Sequence, residues 1–116
     1  MMFEIKRGWG GVLREAILTV DGERVLAGTS SIFSNQVLTM HGEHIIRGSV
    51  AWSGEILATL DGNRVLKGKG GPFADIVATI DDDHVFAGTN TWGEPIATAD
   101  GGRMTLAAAA TFFLLL

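Results

Sequence analysis

Two short clusters in the sequence carry residue types that could hold a metal ion. His41 and His44 are three residues apart, and two imidazole nitrogens can share one ion. Residues 81–84 read Asp-Asp-Asp-His and offer carboxylate oxygens, the ligands of hard cations. Both clusters fall at turn positions of an internal repeat, no third ligand stands near the histidines, and calcium-loop spacing is absent. We therefore predict neither a metal site nor any other cofactor.

Aspartate and arginine recur three residues apart, as in Asp21 with Arg24 and Asp61 with Arg64. In a turn, aspartate accepts backbone N–H bonds, and an exposed pair with arginine adds only about 0.2–1 kcal/mol. The same residues, repeated around a ring, could instead bind a polar ligand. These four residues are therefore predicted as part of a possible ligand or partner surface.

Trp52 and Trp92 occupy the same position of the repeat and complete that candidate surface. An exposed Trp can stack on a sugar or dock a protein, whereas a buried Trp would close the end of the structure. We find no motif that places a base beside a serine nucleophile, and cysteine is absent. The chain is therefore predicted not to be an enzyme.

Composition limits the remaining possibilities. The chain has 116 residues, 47% of them hydrophobic, which predicts a single domain over residues 1–116 with a real core. Its formal charge of −4, without a run of basic residues, argues against a nucleic-acid or anionic-membrane surface. The first ten residues alternate apolar and charged types and lack a signal-peptide pattern, so a cytoplasmic location is expected.

A twenty-residue repeat organises the chain. Threonines mark it at 19, 39, 59 and 79, and Thr98 continues the series after one deletion. Three further positions repeat with the threonines: an acidic or His position (Asp21, His41, Asp61, Asp81, Asp100), a basic or His position (Arg24, His44, Arg64, His84, Arg103) and a glycine position (Gly28, Gly48, Gly68, Gly88). The pattern predicts five repeats.

Each repeat predicts a β-hairpin, because short apolar runs flank an Asp-Gly turn signal. Either a two-residue turn at Asp61-Gly62 or a four-residue turn over 61–64 fits the pattern. Adjacent apolar positions within the strands indicate that both faces of the sheet are at least partly buried.

The two termini complete the repeat series. Residues 3–8 match the returning strand of a hairpin, and residues 95–99 match an outgoing strand. We predict that they pair and close residues 1–99 into a ring, which removes the exposed sheet edges. Residues 100–116 would follow as a helix, capped by Asp100 or a neighbouring glycine and running to Leu116.

The tail from Met104 is apolar all round, which predicts a helix buried on every side. It is too short to span a membrane, which takes about 20 apolar residues. The predicted fold is mainly β: five hairpin repeats of about 20 residues, closed in a ring or barrel around a C-terminal apolar α-helix. The alternative is a β-solenoid, but there equivalent aspartates would stack at about 4.8 Å and repel one another.

This arrangement resembles the small bacterial β-flower proteins, in which short hairpins surround a central C-terminal helix. The D-G-x-R turn pattern and the apolar tail carry the resemblance over the whole chain, and the tubby-like barrel is more distantly similar. The resemblance implies a fold but transfers no functional residues.

A repeat scaffold without catalytic groups predicts a non-enzymatic structural or protein-interaction module whose partner is unknown. The alternative is a lectin-like ligand-binding protein that uses the repeated Trp/Gly and Asp/Arg positions. A monomer or a small homo-oligomer is expected.

Overall fold

Ten antiparallel strands close into a barrel in the computed structural model, which describes residues 2–10, 16–28, 35–49 and 54–116. The strands are β1 (Met2–Arg7), β2 (Ala16–Asp21), β3 (Arg24–Ala27), β4 (Gln36–His41), β5 (His44–Arg47), β6 (Ile56–Asp61), β7 (Arg64–Lys67), β8 (Ile76–Asp81), β9 (His84–Ala87) and β10 (Ala97–Ala99). Consecutive strands are neighbours, and β1 lies between β2 and β10. The predicted closed barrel is confirmed, and the solenoid alternative is wrong.

The register of the β6–β7 hairpin decides between the two turns that the sequence allows, one at Asp61-Gly62 and one over residues 61–64. Asp61 pairs with Arg64 across the β6–β7 hairpin, so the loop between the strands consists of Gly62 and Asn63. Gly62 has φ +62°, as the first loop residue of a type II′ turn requires. The turn therefore extends over residues 61–64, and a two-residue loop at Asp61-Gly62 is wrong because Asp61 still belongs to its strand.

The two ends of the chain close the barrel as predicted. In β1 and β10, Ile5 lies opposite Ala99, and Arg7 lies opposite Ala97. The Gly8 N–H extends this pairing with a bond to the Ile96 carbonyl at 3.1 Å. Because the other edge of β1 pairs with β2, neither edge of the N-terminal strand is left open.

The C-terminal helix α1 (Arg103–Leu114) fills the barrel. Its residues Thr105–Thr111 are all buried, and the four alanines 107–110 have no solvent exposure. The small alanine side chain allows the strands to pack closely against the helix on every side. The helix has twelve residues, and at a rise of about 1.5 Å per residue its length is close to the 20 Å shortest dimension of the molecule.

One end of the helix differs slightly from the predicted one. α1 ends at Leu114, two residues before the predicted Leu116. Gly102 stands at the N-cap, which agrees with the predicted alternative of a glycine near Asp100, and no side chain caps the helix there. A Cβ at Gly101 would lie 2.7 Å from the Phe3 ring, so the chain needs glycine where it enters the barrel.

A second buried layer lies on the outer face of the barrel. Val65 belongs to the inner core, whereas its neighbour Leu66 is buried on the opposite face of β7. Gly70, in the following connecting segment, covers this face so closely that a Cβ would come 3.2 Å from the Thr59 Cβ. Leu26, Ile46 and Phe86 are the buried residues equivalent to Leu66. Both faces of the sheet are therefore partly buried, as the sequence indicates.

Replacing Gly68 by valine should destabilise the protein by more than about 1 kcal/mol. Gly68 has φ +67°, and a Cβ at this position would meet nothing within 4 Å, so the cost comes from backbone strain. Urea unfolding of Gly68→Val measures it, with the exposed neighbouring variant Lys69→Val as control. Equal stability of the two variants would contradict the expectation.

Candidate functional site

The up-and-down topology gives the barrel two different ends. The turn end carries the two-residue hairpin loops, such as Gly62-Asn63, and the start of α1. The loop end carries the segments that connect successive hairpins, together with the end of α1. Any site outside the filled interior lies at one of these ends or on the outer wall.

The predicted Asp/Arg positions lie at the turn end. Arg24 donates from Nη2 to Oδ2 of Asp21 at 2.6 Å, and both side chains are substantially exposed. Asp61 and Arg64 are also exposed and face each other in register, and no ion pair joins them in the described part of the chain. At most about 1 kcal/mol comes from such an exposed pair.

The predicted tryptophan positions belong to the connecting segments. Trp92 follows β9 at the loop end, where 88% of its surface is exposed. Trp52 lies outside the described residues. The structure therefore does not bring Trp92 together with the Asp/Arg positions: they lie at opposite ends of the strands.

Acidic side chains dominate the turn end. Its charged residues are eight acids and three bases: Asp21, Glu23, Glu43, Asp61, Asp81, Asp82, Asp83 and Asp100 against Arg24, Arg64 and Arg103. The amino end of α1, where the helix dipole is positive, lies at this end, since Nη1 of Arg103 donates to the Gly62 carbonyl at 3.4 Å. The charge distribution therefore favours the observed direction of the helix.

The repeated threonines hold the hairpins together from the outside. Each donates its hydroxyl hydrogen to a glycine carbonyl across its own hairpin, as Thr59 does to Gly68 at 2.8 Å. The equivalent bonds join Thr19 to Gly28, Thr39 to Gly48, Thr79 to Gly88 and Thr98 to Gly8, at 2.5–2.8 Å. The last bond joins the N-terminal strand to β10. The threonine position of the repeat therefore has a structural role, which is to hold two paired strands together.

Two histidines bind the same threonines. Nδ1 of His44 lies 2.9 Å from Oγ1 of Thr59, and Nδ1 of His84 lies 2.9 Å from Oγ1 of Thr98. Because each threonine already donates its only hydroxyl hydrogen to a glycine, the imidazole Nδ1 must carry the proton. In the described residues no group of three or more potential metal ligands forms, at His41 and His44 or at 81–84.

The neutral form of His44 is therefore expected to be the Nδ1-protonated tautomer. Long-range ¹H–¹⁵N correlation spectra recorded in alkaline solution distinguish the two nitrogens. His41, exposed at the same turn, serves as the internal reference. A predominant Nε2-protonated form of wild-type His44, or an Nδ1-protonated form that persists in Thr59→Val, would show that the threonine does not select the tautomer.

An aromatic cluster covers the outer wall beside the barrel closure. The Trp9 ring meets His84 edge-on at 4.9 Å between centroids and Phe86 at 6.4 Å. Trp9 thus reaches across β10 to β9 and packs on the outer layer. The sequence did not predict this role, because Trp9 does not share the repeat position of Trp52 and Trp92.

A groove of about 390 Å³ opens at the loop end, where the end of β1, the segment before β10 and the end of α1 meet. Arg7, Gly8, Glu94, Pro95, Ile96, Phe113 and Leu114 line it. The Arg7 guanidinium lies 5.0 Å from the centroid of the Phe113 ring, a cation–π distance. Sequence reasoning missed this groove, although the one-residue deletion before Thr98 marks where the repeat changes.

Antiparallel hairpins closed around a buried C-terminal helix define a class of small β-barrel whose surface, not its interior, is open to ligands. The model of the family described as "6-fold beta flower protein" matches residues 5–114, and the chain belongs to this family. The predicted resemblance is thereby confirmed. No curated protein and no solved structure matches the chain.

The comparison leaves the repeat number open. The ten described strands correspond to five hairpins, whereas the family description says six-fold. The five repeats therefore stay a prediction. In the described part of the chain no helix has the length and apolar character needed to cross a membrane.

Proposed function

We propose that the protein is a non-enzymatic structural or protein-interaction module that presents Phe73 and Trp92 to a protein partner. The family is consistent with a small module of this kind, and its description names no reaction. The observation that carries the proposal is the exposure of these two rings, 97% for Phe73 and 88% for Trp92. Both belong to connecting segments at the loop end.

The filled interior supports a surface role. Barrels that bind small ligands inside leave a cavity there, whereas α1 occupies this space with fully buried alanines. A ligand inside would have to displace the helix. Binding energy is therefore available from the exterior, where aromatic side chains contribute most when a partner covers them.

A lectin-like activity is the second candidate, and the exposed Trp92 ring favours it. A sugar face stacks on an indole in the way the sequence predicts. Asp21, Arg24, Asp61 and Arg64 lie at the opposite end, so a sugar on Trp92 would not use them. The proposed lectin site is therefore reduced to the tryptophan and its own connecting segment.

Affinity capture from an extract of the source cells tests the module. The double variant Phe73→Ala/Trp92→Ala is compared with the wild type and with Ser49→Ala/Lys69→Ala, whose residues are exposed in other connecting positions. We expect a protein that the wild type and the control retain and the aromatic variant loses. Identical retention by all three would overturn the aromatic surface.

A glycan array separates the second candidate from the first. A lectin would bind several related sugars, change its tryptophan fluorescence on binding and lose both properties in Trp92→Ala. If the protein binds no sugar but captures a partner through the aromatic residues, the lectin candidate is excluded and the interaction module is supported.

A further inference from the structure

The end of α1 leaves apolar side chains in water beside the groove. The helix is buried through Thr111, but 40% of Leu114 and 46% of Leu116 are exposed. Phe113 and Leu114 form one wall of the groove, and Ile96 contributes further apolar surface. Exposed apolar side chains next to a groove with a mixed polar and apolar lining are typical of an interaction surface.

Arg7 and Glu94 give the same surface one charge of each sign. Both line the groove and are exposed, and no ion pair joins them in the described part of the chain. Arg7 instead lies over the Phe113 ring. Glu94 is therefore available as an acceptor for a cation from outside, and the Arg7 guanidinium keeps its donors for an external carboxylate.

A surface with an apolar centre and unpaired charges of both signs can be self-complementary. Two-fold symmetry brings each residue i of one copy against residue j of the other, and j against i. We infer that two copies of this chain associate through the groove, with Arg7 of each copy facing Glu94 of the other. Phe113, Leu114 and Leu116 of both copies would fill the centre.

The molecule is wide enough for such a dimer. It measures 38 × 36 Å perpendicular to its shortest axis, and a standard-size interface buries roughly 800 Å² on each partner. This inference goes beyond the proposed function and does not rest on it, because neither Phe73 nor Trp92 lines the groove.

Charge reversal tests the dimer directly. The full chain and its variants Arg7→Glu and Glu94→Arg are compared by analytical ultracentrifugation over a dilution series. The wild type should dimerise, and each single reversal should raise the dimer dissociation constant at least tenfold. The controls are Lys67→Glu and Asp75→Arg, exposed residues beside other connecting segments, which should dimerise like the wild type.

Mixing the two single variants gives the decisive result. A two-fold contact between Arg7 and Glu94 makes the Arg7→Glu and Glu94→Arg chains complementary to each other. The mixture should therefore form heterodimers at concentrations where each variant alone is monomeric. Circular dichroism shows whether the variants are folded. The variant Leu114→Asp disrupts the apolar centre of the interface while Arg7 and Glu94 stay unchanged.

Several outcomes would overturn the dimer. A wild type that stays monomeric at all concentrations, a dimer insensitive to the charge reversals and to Leu114→Asp, or a mixture that remains monomeric would each do so. Flotation of a monomeric wild type with phosphatidylcholine vesicles would assign the apolar end to a lipid surface instead. Partner capture through Phe73 and Trp92 is measured separately, so the two proposals can fail independently.

Discussion

Replacement of Ala108 by aspartate is expected to unfold the protein. Ala108 has no solvent exposure and lies in the middle of the four buried alanines of α1. An unpaired carboxylate there has no water and little space, which costs several kcal/mol in practice. The whole stability of a domain is only about 5–15 kcal/mol, so most of the margin is lost.

Circular dichroism and urea unfolding measure the effect of Ala108→Asp. The control is Leu114→Asp, which places the same charge on the same helix at an exposed position and should remain folded. The intermediate variant Ala108→Leu adds only volume and should cost about 1–3 kcal/mol. A folded Ala108→Asp protein with unchanged stability would mean that the helix does not fill the barrel.

Deletion of residues 1–6 should produce an unfolded or aggregating chain. It removes most of β1 and the fully buried Ile5, and it exposes the edges of β2 and β10 together. Unpaired strand edges recruit other chains, and every other strand in the described part of the chain already has its place in the barrel.

Size-exclusion chromatography and thermal unfolding compare this deletion with removal of Leu116 alone, which shortens the other terminus at a partly exposed residue. The Leu116 deletion should keep the wild-type unfolding temperature at protein concentrations where both chains are monomeric. A truncated chain lacking residues 1–6 that elutes like the wild type with the same unfolding temperature would show that β1 is not needed to close the barrel.

The net charge of the chain does not show how its charged residues are distributed over the barrel. The formal charge of −4 is an average over the whole chain, whereas the turn end carries eight acids with three bases. The loop end therefore holds most of the remaining basic residues, Arg7 among them. The average cannot show this distribution, because it depends on which end of each strand a residue occupies.

The sequence by itself determined the hairpins, their order and the closure of the barrel. These features rest on contacts between neighbours: glycine provides the backbone conformation for a two-residue loop, and four of the five threonines bond within their own hairpin. The terminal pair was predictable because residues 3–8 and 95–99 repeat the halves of that same local unit. The apolar tail likewise predicts burial on all sides. That is correct for residues 105–111 and wrong for the end of the tail, where 40% of Leu114 and 46% of Leu116 are exposed.

Only the tertiary structure decided where the possible functional residues meet. The loop falls at Gly62-Asn63 because the register between strands keeps Asp61 and Arg64 paired. Trp92 and the Asp/Arg positions lie at opposite ends because strand direction separates them. The groove joins Arg7, Glu94 and Phe113, which are far apart in the chain, so no local spacing could reveal a surface that exists only after the barrel has closed around its helix.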